Sequence, residues 1–266
     1  MHLLMCDHAA WQHTADNTAY RAVRHGHNVW LITWRPDELP NPSLLSGVAG
    51  PAPVVDVYVA PPGGHYLPST LASALVQLGP VGRVANPDLW DALGYSIIRQ
   101  VIRAEHARKM YAAFCTAFGT RLDTPYGPTY LFPSPATVEA LDVRDFAEVG
   151  ARFKAPALRA AAIAYQQHHH KWTELSPDDL VRELQMVHRI GPWSAGATVA
   201  DYRHSWDLYP YADLAVRTWA KTAAPGTEWP SKEPEFARTW KAITGEYLSV
   251  LTLLTLAWGI RHGSTG

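Results

Sequence analysis

Two textures alternate along the chain. NVWLITWR (28–35) and VVDVYVAP (54–61) are β-branched and aromatic runs bounded by proline and glycine, so they predict strands. DELPNPSLLSGVAGPAP between them predicts a turn-rich connector. LPSTLASALVQLG (67–79) has the spacing of a short helix, with Ser69 or Thr70 near its N-cap. From Asn86 onward apolar residues recur at helical spacing almost without relief. NPDLWDALGYSIIRQVIRAEHARKMYAAFCTAFG (86–119) reads as helix, with Pro87 near its start and Gly119 at its end. Ser134 and Pro135 open the next helix, and DVRDFAEVG (142–150) and KAPALRAAAIAYQQHHHKW follow. SPDDLVRELQMVHR (176–189) carries an N-cap serine, proline at the first helical position and acids in the first turn. PWSAGATVADYRH is a further helix, and PEFARTWKAITGEYLSVLTLLTLAWGIRHG predicts one or two buried ones. There is no internal repeat. The pattern predicts a mainly α fold, with a small mixed-sheet α/β domain over 1–82 and a helical region over 83–266.

Composition adds boundaries. The 266 residues are 47 % hydrophobic and 18 % charged, which is ordinary globular chemistry. Eleven tryptophans suit either a large aromatic core or surfaces that stack flat ligands. A formal net charge of −1 counts against a nucleic-acid partner unless the basic residues are segregated on one face. Cys6 and Cys115 alone exclude a disulfide framework and a cysteine-based structural zinc site. No run of roughly 18 apolar residues is evident, and MHLLMCDHAAWQH lacks the pattern of a secretory signal. The expectation is a cytoplasmic protein, nucleoid-associated in a bacterium, without membrane contact. Three adjacent histidines in HHHK (168–171) point about 100° apart on a helix, so a solvated helix end is the better reading than a metal site.

The richest stretch begins at position 187: VHRIGPWSAGATVADYRHSWDLYPYADLAVRTWAKT. Two helical runs meet at I-G, where Gly191 suits a turn with unusual dihedrals and no room for a Cβ. Pro192 opens the second helix and Ser194 is placed to help cap it. The free N–H groups at that helix start form an anion site suited to phosphate. Asp213 begins LAVRTWAK, where helix N–H groups and dipole favour a carboxylate. Taken alone, an N-cap is the simpler role for Asp213.

IGPWSAG, followed by an aspartate opening D-L-A-V-R, resembles the helix-hairpin-helix DNA glycosylase superfamily. The similarity is greatest to the 3-methyladenine DNA glycosylase II class of alkylation-repair enzymes. It extends over roughly residues 83–260 through NPDLWDALGYSIIRQVIRAEHARKMYAAFCTAFG and FPSPATVEALDVRDFAEVGARFKAPALRAAA, and the N-terminal unit fits less specifically. The resemblance implies a hairpin at about 178–204 and a catalytic-aspartate loop at about 205–213, with Asp213 as the catalytic residue. It implies DNA contacts by Gly191, Trp193 and Ser194, with Gln100 and Val101 filling the gap in the duplex, and the guanidinium groups of Arg189 and Arg217 are candidate further phosphate contacts. It places Trp193 at the wall of the base pocket; Tyr209 and Tyr211, with Trp206 and Trp219, crowd the same region and have the chemistry to stack on an electron-poor base, though core is the simpler role for any one of them. Trp193 stands where bifunctional members carry a lysine, so no Schiff base with the sugar is expected. The implied activity is base excision: a monofunctional hydrolase flips a damaged, for instance alkylated, base from double-stranded DNA and cleaves its N-glycosidic bond. It would act as a monomer and need neither cofactor nor metal. A fixed carboxylate beside the cationic sugar would stabilise the transition state.

The pattern also departs from its relatives. Arg189 replaces the first hairpin glycine and His188 a preceding proline. Either the Cβ of Arg189 changes the turn, or its guanidinium adds a phosphate contact. Ala212 stands where relatives often carry a second acid, and WKAITGEYLSVLTLL (240–254) lacks their Trp-Pro-Trp-Arg-like turn. Two further readings therefore stay open: a transferase or hydrolase of hypermodified bases or nucleosides, and a non-catalytic binder of DNA structure.

Overall fold

The computed structural model describes residues 3–36, 38–48, 50–63 and 66–262. Of the expected connector, Asp37 and Ala49 lie outside the described residues, as do the first two and last four positions of the expected domains. In chain order the first elements are β1 (Leu3–Leu4), β2 (Gln12–His13), β3 (Ala19–His25), β4 (Asn28–Trp34), β5 (Asn41–Ser46), β6 (Val55–Tyr58), α1 (Ser69–Leu78) and β7 (Val81–Val84). They are followed by α2 (Leu89–Arg99), α3 (Ala104–Phe118), β8 (Thr120–Thr124), β9 (Gly127–Leu131), α4 (Pro135–Ala140), α5 (Val143–Glu148) and α6 (Ala155–Glu174). The chain ends with α7 (Pro177–Leu184), α8 (Pro192–Arg203), α9 (Leu214–Ala223), α10 (Glu233–Thr244) and α11 (Leu248–His262).

The strands form an antiparallel sheet β2-β3-β4-β5, a mixed sheet β1-β7-β6 and the hairpin β8-β9. β1 runs parallel to β7, while β6 runs antiparallel to it. Both expected strands are present as β4 and β6. The connector is not only turn: Asn41–Ser46 pairs with β4 as an edge strand, where Pro42 is tolerated because one side of an edge needs no ladder bond. β3, β7 and the β8-β9 hairpin have no counterpart in the sequence expectation. The boundary expected at 82–83 falls within β7. α1 starts at Ser69 with Pro68 as its N-cap, so Ser69 and Thr70 stand next to the cap, as expected.

Residues 86–119, helical in pattern and a helix pair by the resemblance, form two helices with a break at Gln100–Arg103, where the turn of Gln100 and Val101 is expected. Asp88 caps α2 by accepting the N–H groups of Trp90 and Asp91. Its ten residues Leu89–Ile98 are all buried, so α2 is a central helix with no water-facing side in that stretch. α8 is likewise buried all round from Ser194 to Asp201, because it stands between two cores. Ala195 and Val199 belong to the core built on α2, α3, α6 and α7. Ala197 and Ala200 belong to the core built on α1, α9, α10 and α11. Small side chains on both faces let α8 fit between these layers. Trp90, Trp172 and Trp240 are fully buried, and truncating any of them to alanine is expected to cost on the order of 3–5 kcal/mol.

The C-terminal segment Glu233–His262 corrects the expectation that no apolar stretch is long enough to cross a membrane: its mean hydropathy reaches 1.4 in a window that is 56 % buried within the fold. Leu253 and Leu254 at its centre are core residues.

A buried polar network joins sheets and helices. Arg21 on β3 meets Asp91 on α2 at 2.9 Å, and Tyr111 on α3 donates to the same carboxylate at 2.6 Å. Arg83 on β7 pairs with Asp7 at 3.0 Å and with Asp201 on α8, whose other oxygen takes the Asn86 amide at 2.8 Å. The charges pair with one another, as burial of charge requires, while Arg21 Nε is left buried without a hydrogen-bond partner among the described residues.

Candidate nucleic-acid interface and active site

α7 ends at Leu184, and successive tight turns carry the chain to α8: Val187 N–H bonds to the Leu184 carbonyl and Ile190 N–H to that of Val187. Ile190 is buried, which anchors the turn, while His188, Arg189, Gly191 and Pro192 face water. Arg189 sits in the left-handed region at φ 66°. A non-glycine residue thus takes the left-handed position in this turn, at a cost of roughly 1 kcal/mol in backbone strain. Its side chain projects outward, with Nε contacting His188 Nε2 at 3.3 Å.

Gly191 differs from the sequence expectation. Its backbone is extended, at φ −89° and ψ 179°, and a Cβ there would meet nothing within 4 Å. Nothing inside the protein calls for glycine at this position. Ser194 does not cap α8, whose N-cap Gly191 lacks a side-chain partner. Instead the Ser194 hydroxyl accepts from the Gln100 amide at 2.7 Å. The first intrahelical bond runs from Ala195 N–H to the Gly191 carbonyl, so the N–H groups of Gly191, Trp193 and Ser194 precede it at the open end of the helix.

The α2–α3 break packs against this hairpin. Gln100 Nε2 also reaches the Arg189 carbonyl at 3.2 Å, and Lys154 Nζ donates to the Gln100 carbonyl at 2.5 Å. Gln100 is thus turned inward and braces the hairpin. Val101, at φ 61°, is fully exposed. Of the expected pair, it alone projects from the surface. Lys154 is buried, and desolvation pulls its amine down to about 8.

The loop after α8 brings Asp213 back towards the same region. Gly196 makes this possible, since a Cβ on it would lie 2.4 Å from the Leu208 carbonyl oxygen. Asp213 caps α9, with Oδ1 accepting the Val216 N–H at 3.0 Å and Oδ2 accepting the Tyr209 hydroxyl at 2.6 Å. Tyr209 is buried and its ring tilts against Trp206 at 5.4 Å. It therefore stands behind the carboxylate, where no free face is left for a stacked base. Burial first, and the Asp213 charge second, push its hydroxyl far above the ordinary range, so it stays a proton donor.

Trp193 is half-buried at the start of α8, with the Arg99 guanidinium 5.3 Å from its ring centroid. The same guanidinium is 5.5 Å from the Tyr95 centroid. Arg99, Tyr95, Tyr209 and Trp206 help to line a cavity of only about 10 Å³, room for a single water. Trp206 packs within the C-terminal core, and Tyr211 and Trp219 lie half-buried against it. Arg217 is tied to the Ser231 carbonyl at 3.2 Å. Arg99, Tyr95 and Lys154 were not singled out from sequence. The i,i+4 spacing of Tyr95 and Arg99 on α2 was the available signal for that pair.

Among the described residues no group of three or more His, Cys, Asp or Glu side chains is placed to hold a metal. The rings of His169 and His170 on α6 lie tilted at 38° with their centroids 3.9 Å apart. Burial pushes the Cys6 thiol up to about 12, which leaves it a poor nucleophile.

No protein-family model matches the chain, and no curated protein matches it in sequence. Solved structures do. The 3-methyladenine DNA glycosylase of Archaeoglobus fulgidus superposes with a TM-score of 0.71 at 14 % identity, covering 96 % of this chain and 91 % of that one. The 8-oxoguanine glycosylase/lyase of Clostridium acetobutylicum, in its apo form, gives 0.67 at 14 % identity over 95 % and 89 %. The 3-methyladenine DNA glycosylase of Schizosaccharomyces pombe, in complex with abasic DNA, gives 0.53 at 16 % identity over 66 % and 81 %. The chain has the fold of these solved DNA glycosylases.

Proposed function

We propose that this protein is a monofunctional DNA glycosylase, which flips a damaged or modified base from duplex DNA and hydrolyses its N-glycosidic bond. The observation that carries the reading is Asp213, a half-buried carboxylate fixed by the Val216 N–H and the Tyr209 hydroxyl on the loop that leaves the hairpin's second helix. The N–H groups at the start of α8 suit a phosphate, with Arg189 beside them. Val101 supplies an apolar wedge for the space a flipped nucleotide leaves. As the bond breaks, its electron pair goes to the base and positive charge grows on the sugar, where Asp213 stabilises it. Water then adds to the sugar carbon. Trp193 offers no amine, so the sugar is not captured as a Schiff base and the strand stays intact. The similar solved proteins named for 3-methyladenine and 8-oxoguanine support a damaged base in duplex DNA as the substrate class.

The test is release of free base, detected by mass, from duplexes carrying single lesions, with wild type against Asp213→Asn. Release by wild type that the variant loses is the expected result. Release unchanged by Asp213→Asn would remove the aspartate from the chemistry. The cavity of about 10 Å³ favours one competing reading, a non-catalytic binder of DNA structure. That reading requires duplex binding without release of any base.

A further inference from the structure

Arg99 ends α2, two positions before the exposed Val101. Its guanidinium lies between the rings of Trp193 and Tyr95, 5.3 and 5.5 Å from their centroids. It takes part in none of the ion pairs formed among the described residues. Although burial opposes its charge, the neighbouring Tyr209, Tyr95, Asp7 and Asp213 hold it protonated. A cation uncommitted to any salt bridge thus covers the aromatic residue nearest the hairpin, within electrostatic reach of Asp213. A base that stacks on Trp193 meets a guanidinium instead of a second ring. A purine made cationic by alkylation at a ring nitrogen is repelled there, whereas carbonyl and aza acceptors find its N–H donors.

We infer that Arg99 is a specificity residue of the proposed glycosylase site, selecting neutral, acceptor-rich bases over cationic N-alkylpurines. The inference rests on the glycosylase reading. The chemistry favours it for a second reason. When the bond between the sugar carbon and the base nitrogen breaks, both electrons stay on the nitrogen. A neutral base then departs as an anion, which a desolvated guanidinium stabilises. Water supplies hydroxide to the sugar carbon and its remaining proton to the base nitrogen, giving an abasic site and the free neutral base. A cationic base departs already neutral and gains nothing from Arg99.

The test is single-turnover release from duplexes carrying hypoxanthine or ethenoadenine, both neutral, and 7-methylguanine, which is cationic. Wild type, Arg99→Gln and Arg99→Lys are compared, with Asp213→Asn as background. Wild type is expected to favour a neutral base. Arg99→Gln should shift the neutral-to-cationic ratio by about tenfold or more towards 7-methylguanine, the scale of one lost charge-assisted hydrogen bond. Arg99→Lys should keep most of the preference. A ratio unchanged in Arg99→Gln would overturn the inference and leave the glycosylase reading intact. If that variant does not fold, wild-type release confined to 7-methylguanine would overturn it equally. Release of no base from a broad lesion panel would overturn both.

Discussion

The Tyr209 hydroxyl donates a 2.6 Å hydrogen bond to one oxygen of Asp213 while the Val216 N–H holds the other at 3.0 Å. The carboxylate is oriented from both sides before any substrate arrives. Tyr209→Phe keeps the ring against Trp206 and removes the hydroxyl, with its bond to Asp213 and its contact with Arg99. A hydrogen bond to a charged group is worth about 1.5–3 kcal/mol, so base release should fall by about ten- to a hundredfold. Duplex affinity should stay at the wild-type value, because nothing on the hairpin changes. Single-turnover rates and fluorescence anisotropy separate the two quantities. An unaltered rate would reduce the hydroxyl to a packing role.

Gly191 and Arg189 divide the labour of the hairpin in an unexpected way. The left-handed residue is Arg189, while Gly191 is extended with open space where a Cβ would stand. Gly191→Ala should change stability by no more than about 1 kcal/mol, the small preference for glycine at an N-cap. It should weaken duplex binding by about tenfold if phosphate approaches that backbone. Arg189→Gly should do the reverse in part: it relieves roughly 1 kcal/mol of strain, lowers affinity and reduces the salt slope of binding by about one. Thermal unfolding and salt titrations read both variants. Gly191→Ala binding as tightly as wild type would refute the hairpin as a phosphate site.

Much of this arrangement is legible in the sequence, and the unreadable part has physical causes. Ser134 and Ser176 announce the starts of α4 and α7, because a serine hydroxyl taking an N–H three residues on is a local device. The aspartate cap of α9 is equally local. β3 hides because its partner is set by the two-residue Gly26-His27 turn, and only β4 has an apolar run strong enough to stand alone. The inward turn of Gln100 was illegible because its partners, Arg189 and Ser194, lie about ninety positions away. The same distance hid Arg99 over Trp193. Gly191 misled for a different reason: glycine signals either a special dihedral or a close approach, and sequence alone does not distinguish the two.

Val101 offers a separable test of duplex reading. It is fully exposed in the left-handed region, so Val101→Gly removes an apolar side chain that touches nothing and relaxes the backbone. Stability should be unchanged or slightly higher. Release from duplex should drop by about tenfold or more, while release from the same lesion in single-stranded DNA, where no gap needs filling, should not. Equal losses on both substrates would show that the side chain acts on something other than the duplex gap.

Lys154 gives the turn a pH dependence whose sign follows from burial. Its folded value of about 8 lies below the ordinary 10.5, because desolvation disfavours the ammonium. Between those values the unfolded chain holds more protons than the folded one, so the lysine makes stability rise with pH across that window. Below pH 8 both states are charged and its contribution is flat. Function should move the other way. As pH passes through 8 the charge-assisted bond to the Gln100 carbonyl becomes a neutral one, roughly half as strong, and the turn carrying Val101 is held less firmly. Duplex release should therefore fall a few-fold between pH 7 and 9.5 while the midpoint of thermal unfolding climbs. Lys154→Met should flatten both limbs, and should start from the lower, high-pH level of release. A wild-type profile in which rate and stability rise together would rule out the lysine as a brace for this turn.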